Sequence, residues 1–326
     1  MGKKLYIECN TGISGDMTVA SLLDLGADRE VLQKALDSLK EKVGGFDVKI
    51  SQVTKAGIVA ADFDVILDED NHDHNMDYLY GHEHSGHQGH DHYEHHHEHH
   101  HHDDAEHHEH HHHDDTEHHE HHHHDDAEHH EHHHHDDTEH HEHHHHEHDH
   151  HHVHRSLPDV IDIINAADIT ESARALAVKV FTIVAEAEAA VHGRSIEEVH
   201  FHEVGAIDSI VDIIAAAVCY DDIVSKNDID ETIVTRLVDG TGTVRCQHGI
   251  LSIPVPAVLK IAEQRRVPLS ISNRKGEYVT PTGAAFAAAV MDTSSLPDSF
   301  IIERTGVGAG KRDYDIPGMV RTMILN

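Results

Sequence analysis

The chain has 326 residues, 47 of them histidine, and a formal net charge of −37 at pH 7. A polyanion repels nucleic acid, and no stretch reaches eighteen apolar residues, so the sequence argues against a nucleic-acid-binding protein and a membrane-spanning one. The three cysteines form no CxxC pair, which argues against a disulfide framework or a thiolate zinc site and favours a reducing cytoplasm.

Residues 1–70 predict the first part of an ordered core. Apolar runs, helical periodicity and alternation give its elements. They are a strand over Leu5–Cys9, helices over Met17–Leu25 and Arg29–Leu39, and strands over Phe46–Ile50 and Gly57–Leu67. The last two strands are expected to pair as a hairpin.

Residues 71–153 predict a disordered insertion rich in His, Asp and Glu, because almost nothing in them can be buried. Between Asp68 and His152 lie 42 histidines and 27 acidic residues, which leaves a charge of −10 for the rest of the chain. An eleven-residue unit, EHHEHHHHDDT with minor variation, repeats from Glu106 to Thr138. Neutral imidazole binds nickel, zinc, copper and cobalt, so the tract is expected to concentrate metal through residues such as His110, His121 and His132. The alternative is a solvated linker that binds metal only as a histidine tag does.

Residues 154–326 predict the remainder of the core, in which helices and strands alternate without a regular βαβ rhythm. The helices are Leu157–Ala167, Glu171–His192, Asp208–Asp222, Pro256–Gln264 and Thr282–Met291. The extended segments are His200–His202, Thr232–Leu237, Leu251–Ile253, Phe300–Thr305 and Met319–Leu325. We therefore predict an α+β fold with a mixed sheet packed against helices and interrupted by the insertion.

The segment VHFHEVGAIDSIVD, Val199–Asp212, is the strongest candidate for a metal site. In an extended segment His200 and His202 point to the same side, and Glu203 follows. Asp208 and Asp212 are four residues apart, so they share one face of the next helix. Imidazoles and carboxylates could thus converge on one ion. The alternative is a pair of hydrogen-bonded core histidines beside a solvated helix face.

The segment ECNTGISGDM, Glu8–Met17, runs from a strand through a turn containing Gly12 and Gly15 into a helix. Such a turn is a ready anion site, although the lysine of a P-loop is missing. Glu8, Cys9 and Asp16 are candidates for metal binding or proton transfer. A helix cap is the simpler role for Asp16.

Three glycine-rich segments are consistent with backbone approaching a ligand: Asp239–Gly249, Tyr278–Ala285 and Thr305–Asp313. A helix start capped by threonine is the alternative for the second. Lys311 and Arg312 could hold a phosphate or could be solvated. The predicted ligand-binding residues are Gly12, Gly15, Thr280, Thr282, Gly283, Gly308, Gly310 and Lys311.

Taken in order, the motifs GISGDM, HFHEVGAIDSIVD, HGILSIPVPA, VTPTGAA and GVGAGKRD, with the histidine-rich insertion after the first hairpin, resemble the nickel-insertion proteins of nickel-pincer cofactor biosynthesis. The resemblance implies a CTP-dependent cyclometallase of the lyase class. Such an enzyme inserts nickel into pyridinium-3,5-bisthiocarboxylic acid mononucleotide and yields the cofactor of lactate racemase, in which two sulfurs and a ring carbon bind the metal. Glu8 and Asn10 depart from the family pattern, which has an Asp and an aromatic residue there.

The resemblance also implies partners. Many family members have a further C-terminal domain associated with CTP and a divalent cation, Mg or Mn, and we expect that domain to be absent from this chain, which ends at Asn326. A separate partner chain and the lactate racemase apoprotein are the implied partners.

The sequence thus leads to a mechanistic hypothesis. The tract would pass nickel to His200, His202 and Glu203, while Asp208, Asp16 or Glu8 would complete the metal shell or take the ring proton. A non-enzymatic nickel store or metallochaperone, and a metal-dependent hydrolase using HFHE, are the competing hypotheses.

Overall fold

A six-stranded mixed sheet with helices packed against it forms the core of the computed structural model, which describes residues 2–68, 155–201 and 204–326, without the side chain of His200. All described residues belong to one compact unit. The predicted insertion at 71–153, with His110, His121 and His132, lies outside them. His202 and Glu203 lie outside them as well.

The strands of the described residues are β1 (Lys3–Glu8), β2 (Phe46–Lys55), β3 (Ile58–Leu67), β4 (Arg155–Ser156), β5 (His200–Phe201), β6 (Ile229–Ile233), β7 (Leu237–Thr241), β8 (Thr243–Cys246), β9 (Gly249–Ser252), β10 (Leu269–Lys275), β11 (Ile302–Ala309) and β12 (Met319–Leu325). The large sheet has the order β2-β3-β11-β12-β1-β6. Three two-stranded pairs accompany it: β10 with β7, β4 with β5, and β8 with β9.

The helices are α1 (Gly15–Leu25), α2 (Arg29–Val43), α3 (Leu157–Ala166), α4 (Glu171–His192), α5 (Ile207–Asn227), α6 (Pro256–Arg265) and α7 (Pro281–Val290). Local chemistry sets several of their ends. Thr170 caps α4 by accepting a hydrogen bond from Ala173 N–H, and Gly193 ends it in a left-handed conformation. Gly26 ends α1 in the same way, at φ 116°. No described helix is long and apolar enough to cross a membrane.

Helix α1 lies directly on strand β11 because that strand carries glycine where the two backbones meet. A Cβ at Gly308 would lie 2.1 Å from the Met17 carbonyl oxygen, and one at Gly306 would lie 2.2 Å from the Ser21 carbonyl oxygen. Contacts that close do not occur between real atoms, so any side chain there would push the helix off the sheet. This packing fixes the position of the N-terminus of α1.

The predicted α+β class is confirmed, and so is the hairpin, in which β2 and β3 pair over their full length. The ranges predicted for α4 and β12 are also those of the structure. The single strand predicted over Thr232–Leu237 was wrong. The range contains the end of β6, a connection and the first residue of β7, and these two strands belong to different sheets. The extended segment predicted at Leu251–Ile253 overlaps β9, but its partner β8 was missed. Strand β10 was missed as well, because it is largely exposed and polar and has no clear apolar pattern.

Replacing Gly308 with alanine should lower the free energy of unfolding by about 2 kcal/mol or more, because the new Cβ collides with the backbone of α1. Urea denaturation measures the change. Gly318→Ala is the matched control, since its Cβ would find its nearest neighbour at 3.9 Å. Equal stability of the two variants would show that α1 does not depend on the bare backbone at Gly308.

Candidate functional site

Three aspartates meet where the N-termini of α1 and α5 come together. Asp16 lies in the first turn of α1, and Asp208 lies in the first turn of α5 with Asp212 one turn later. A Cβ at Gly15 would lie only 2.7 Å from Asp212 Oδ2, so the missing side chain of Gly15 lets the two helices bring their carboxylates together. We call Asp16, Asp208 and Asp212 the carboxylate cluster. The positive ends of two helix dipoles lie where these negative charges accumulate.

Burial and mutual repulsion govern protonation in the carboxylate cluster. Burial, followed by the charges of Asp16 and Asp208, raises the pKa of Asp212 well above its ordinary value. Burial also raises the pKa of Asp16, against hydrogen bonds from Ser14 and from the Met17 backbone. Asp212 Oδ1 is buried and has no hydrogen-bond partner among the described residues. A buried carboxyl group with a raised pKa is suited to hold a proton.

Lys311 supplies positive charge next to the carboxylate cluster. Its ammonium lies 2.9 Å from Asp62 Oδ1 and 3.0 Å from Asp64 Oδ1, both on β3. Burial opposes its charged form, but the hydrogen bonds to Asp62 and Asp64 raise the pKa of Lys311. The same charge lowers the pKa of Asp16 and of Asp212. The predicted role of Lys311 in phosphate binding stays a prediction.

The glycine turn before α1 is joined to the turn before α7. Ile13 N–H donates to the Tyr278 carbonyl at 2.9 Å, and Thr280 N–H donates to the Ile13 carbonyl at 3.0 Å. Thr280 caps α7 by accepting from Gly283 N–H at 3.2 Å, and its hydroxyl lies 2.9 Å from that of Thr282. The helix start proposed as the alternative for this segment is therefore present.

Close backbone packing accounts for several of the predicted ligand-binding glycines. A Cβ at Gly12 would lie 2.1 Å from the Tyr278 carbonyl oxygen, and one at Gly283 would lie 2.4 Å from that of Ile13. Gly310 differs, because a Cβ there would meet the Met17 side-chain sulfur at 2.8 Å and no backbone atom within that distance. Contact of these glycines with a ligand stays a prediction.

Glu8 is buried at the end of β1 and forms an ion pair with Arg321, and the side-chain amide of Asn10 donates to it. Burial raises the pKa of the Cys9 thiol, so the thiolate is disfavoured there. Proton transfer or metal binding by Glu8 and Cys9 thus stays a prediction, and each has a structural role already.

Asp239 organises the same region and was not singled out from the sequence. Its side chain is fully buried, and Oδ1 accepts hydrogen bonds from the backbone N–H groups of Gly240, Tyr278 and Val279 at 2.8, 2.8 and 3.2 Å. Its position at the start of the glycine-rich segment Asp239–Gly249 was the feature of the sequence that could have indicated a structural role. Asp239 fixes the turn that leads into α7.

The described part of the HFHE segment, His200 and Phe201, forms the short strand β5 that precedes α5 in sequence. His200 and Phe201 pair with Ser156 and Arg155, and the Arg155 guanidinium donates to the Gly205 carbonyl at 2.8 Å. The buried ring of Phe201 lies 6.2 Å from that of Phe181. The predicted site residues His200, His202 and Glu203 have no described side chains, so their convergence with Asp208 stays a prediction.

A cavity of about 140 Å³ adjoins the HFHE segment, and the sequence analysis did not find it. We call it the hairpin cavity, because the β8–β9 hairpin forms one wall. Its lining includes Phe201, Val204, Arg245, Cys246, His248 and Arg312. The signal available in the sequence was RCQHG, in which a thiol and an imidazole lie two residues apart beside a cation.

Within the described residues, no three side chains of His, Cys, Asp or Glu are arranged to hold a metal ion. Metal binding by Asp208 stays a prediction that depends on HFHE side chains outside the described residues.

Comparison with known proteins gives a consistent result over the whole chain. A family model described as nickel insertion protein matches residues 5–326. A pyridinium-3,5-bisthiocarboxylic acid mononucleotide nickel insertion protein of Alkaliphilus metalliredigens is 39% identical over 326 residues, which are 100% of this chain and 61% of that protein. Proteins of the same name from Clostridium acetobutylicum and Clostridium kluyveri are 38% and 33% identical, over 98% and 99% of this chain and 63% and 62% of theirs. The chain thus spans about three fifths of the length of these relatives, and no solved structure matches it.

Replacing Asp212 with asparagine should stabilise the protein increasingly as the pH rises. The raised pKa means that the folded state binds this proton more tightly than the unfolded state. The stability it contributes is full below the unfolded pKa, near 3.9, and is lost as the pH rises through the folded pKa. Asparagine does not ionise, so the variant should gain on the order of 1 kcal/mol relative to wild type between pH 5 and pH 8.

Urea denaturation in EDTA at both pH values measures this difference for Asp212→Asn. Asp162→Asn, which removes an exposed carboxylate from α3, is the control and should show no such trend. A difference that shrinks with pH would contradict the assigned repulsion within the carboxylate cluster.

Proposed function

The chain belongs to the nickel insertion protein family, and from that membership we propose that it takes part in inserting nickel into pyridinium-3,5-bisthiocarboxylic acid mononucleotide, as its relatives are named to do. The observation that carries the proposal to particular residues is the carboxylate cluster, which directly follows the HFHE segment and contains a carboxyl with a raised pKa. Nickel is the substrate of this reaction, together with the mononucleotide.

The proposed chemistry needs a metal-binding group and a base close together. Forming a nickel–carbon bond breaks one ring C–H bond, and the released proton passes to a base while nickel stays divalent. His200, His202 and Glu203 would bind the incoming nickel, and Asp208 would complete its shell or take the proton together with Asp16. Glu8 is the weaker choice of base, because it is already held in an ion pair with Arg321 and accepts a hydrogen bond from the Asn10 amide.

Electrostatics support a proton-accepting role for the carboxylate cluster. A base works best when its pKa lies near the working pH, and burial together with neighbouring carboxylates moves Asp16 and Asp212 in that direction. The positive charge of Lys311 lowers the pKa of Asp16 and of Asp212 and so limits the rise that burial and the neighbouring carboxylates cause. Arrival of a divalent cation nearby would favour release of the proton from these groups.

CTP does not fit the GISGDM turn. The N-terminus of α1 would be the anion site there, but Asp16 and Asp212 bring their own negative charge to it, and Gly15 packs on Asp212. A triphosphate would be repelled by these carboxylates. We therefore assign CTP dependence, with Mg or Mn, to the portion of the longer relatives that this chain does not span, or to a separate partner chain.

The remaining parts of the proposal place the reaction in context. The lyase class, a cytoplasmic setting and lactate racemase as recipient of the product all follow from the family resemblance. The glycine segments, Lys311 and Arg312 are proposed to contact the mononucleotide. The histidine tract is proposed to collect nickel and supply it to the HFHE segment.

A nickel store or metallochaperone is the second candidate function, and the 42 histidines of the tract favour it. Storage predicts many weakly bound ions and no reaction of the mononucleotide. Storage gives no role to the buried carboxylate cluster or to the two helix N-termini that meet there. The nickel-insertion proposal uses the cluster as the base and the helix N-termini to offset its charge.

Simultaneous replacement of His200 and His202 with alanine should reduce formation of the metallated mononucleotide by roughly 100-fold or more at saturating nickel, because the proposed ligands are lost. Mass spectrometry of the product measures the yield, with CTP, Mg and the C-terminal portion of a longer relative supplied as a separate chain. His121→Ala with His132→Ala removes the same number of imidazoles from the tract and should leave the yield unchanged. Full activity of the His200/His202 variant would rule out the assignment of nickel to this segment.

Deletion of residues 72–152 should reduce the yield only when nickel is limiting, because the tract is proposed to raise the local nickel concentration and not to react. The measurement is product yield as a function of free nickel, buffered from nanomolar to millimolar. The expected result is a shift of the nickel dependence to higher concentration with the same maximum. Loss of product at millimolar nickel would show that the tract is more than a supply.

A further inference from the structure

The hairpin cavity has the shape and chemistry of a pocket for a flat, anionic aromatic group. Its walls include the apolar side chains of Phe201, Val204, Val244 and Leu251. A volume of about 140 Å³ accommodates a substituted ring more readily than a whole nucleotide. A ring held between apolar walls would leave its phosphate-bearing arm at the mouth.

Two arginines and two glutamates line this cavity, and one of the glutamates, Glu188, lies 3.4 Å from the His192 imidazole. Arg312 is already engaged, since it pairs with Glu277 and donates to the Tyr314 hydroxyl at 3.1 Å. Arg245 is exposed on β8, and no acidic partner holds it among the described residues. An exposed guanidinium beside an apolar cavity can bind a phosphate or carboxylate through two parallel hydrogen bonds.

The helices at the cavity add to the same charge preference. Pro256 and Pro281, the first residues of α6 and α7, both line it. Thr280 caps α7, whereas Val255 gives α6 no side-chain cap. The N–H groups of the first turn of α6 thus favour a negatively charged group together with Arg245.

Two residues next to the proposed nickel ligands in sequence, Phe201 and Val204, are part of the cavity wall. Cys246 and His248 line it from the hairpin, and the His248 ring centroid lies 5.0 Å from that of His192 on α4. A thiol and imidazoles are ligands that nickel accepts.

We propose that the hairpin cavity binds the pyridinium mononucleotide, with its ring between Phe201 and the β8–β9 hairpin and its anionic groups on Arg245. This inference rests on the proposed function for the identity of the ligand. It assigns substrate binding to Arg245, a residue that the motifs before α1 and α7 do not include, and it makes Cys246 a neighbour of the bound ligand.

Cys246 provides a built-in reporter for the test. It is partly exposed in the cavity, whereas Cys9 and Cys219 are 0% and 1% exposed and serve as internal controls. The probe is the oxygen analogue, pyridinium-3,5-biscarboxylic acid mononucleotide, which does not consume a thiol reagent. The full chain in EDTA is alkylated with iodoacetamide, with and without the probe, and labelling at each cysteine is followed by mass spectrometry.

The expected result is that saturating probe slows alkylation of Cys246 by roughly tenfold or more, because the occupied cavity excludes the reagent. Arg245→Gln should weaken probe binding, measured by equilibrium dialysis, by roughly tenfold. Arg236→Gln, which removes an exposed arginine outside the cavity, should bind the probe like wild type. Circular dichroism confirms that the variants are folded.

Two results would overturn the pocket. One is an unchanged alkylation rate of Cys246 at probe concentrations where dialysis shows saturation, and the other is no binding of millimolar probe by the wild-type chain. Nickel insertion into the sulfur-containing substrate, measured in parallel, separates this inference from the proposed function. If nickel is inserted but the probe does not protect Cys246, the proposed function stands and the proposed pocket is wrong. If the probe protects Cys246 but no nickel is inserted, the pocket stands and the proposed function is wrong.

Discussion

The contact between α1 and β11 is the constraint on which the site depends. Gly306 and Gly308 let the helix backbone rest on the strand, and this contact holds the N-terminus of α1 against the N-terminus of α5. Gly15 completes the arrangement on the other side by packing against Asp212. Three positions without side chains thus define where charged side chains meet.

This geometry brings three carboxylates close together, and their repulsion costs free energy unless nearby positive charge offsets it. Like charges close together in a buried place repel each other and shift toward the neutral form. Two helix N-termini and Lys311 offset that cost at the carboxylate cluster without removing it. The pKa values of Asp16 and Asp212 stay raised, which suits the proton-accepting role proposed for the cluster.

Local signals made parts of the fold predictable from the sequence. Helix α4 was predicted at its observed bounds because an alanine-rich periodic run has a threonine cap before it and a glycine after it. Strand β10 escaped prediction because its stability comes from pairing with β7 and not from an apolar pattern of its own. At the site, Asp16, Asp208 and Lys311 were each recognised in their motifs. That Asp16 meets Asp212, and that Arg245 and Phe201 share a cavity, depends on contacts between distant segments, which composition and spacing do not encode.

Lys311 and Arg312 are consecutive residues that serve two different places. Lys311 pairs with Asp62 and Asp64 beside the carboxylate cluster, while Arg312 reaches Glu277 at the hairpin cavity. The segment between β11 and β12 therefore supplies one charged contact to each place, and a shift of its backbone would be felt at both. The charge that Lys311 exerts on Asp16 and Asp212 thus depends on the position of a chain segment that also lines the hairpin cavity.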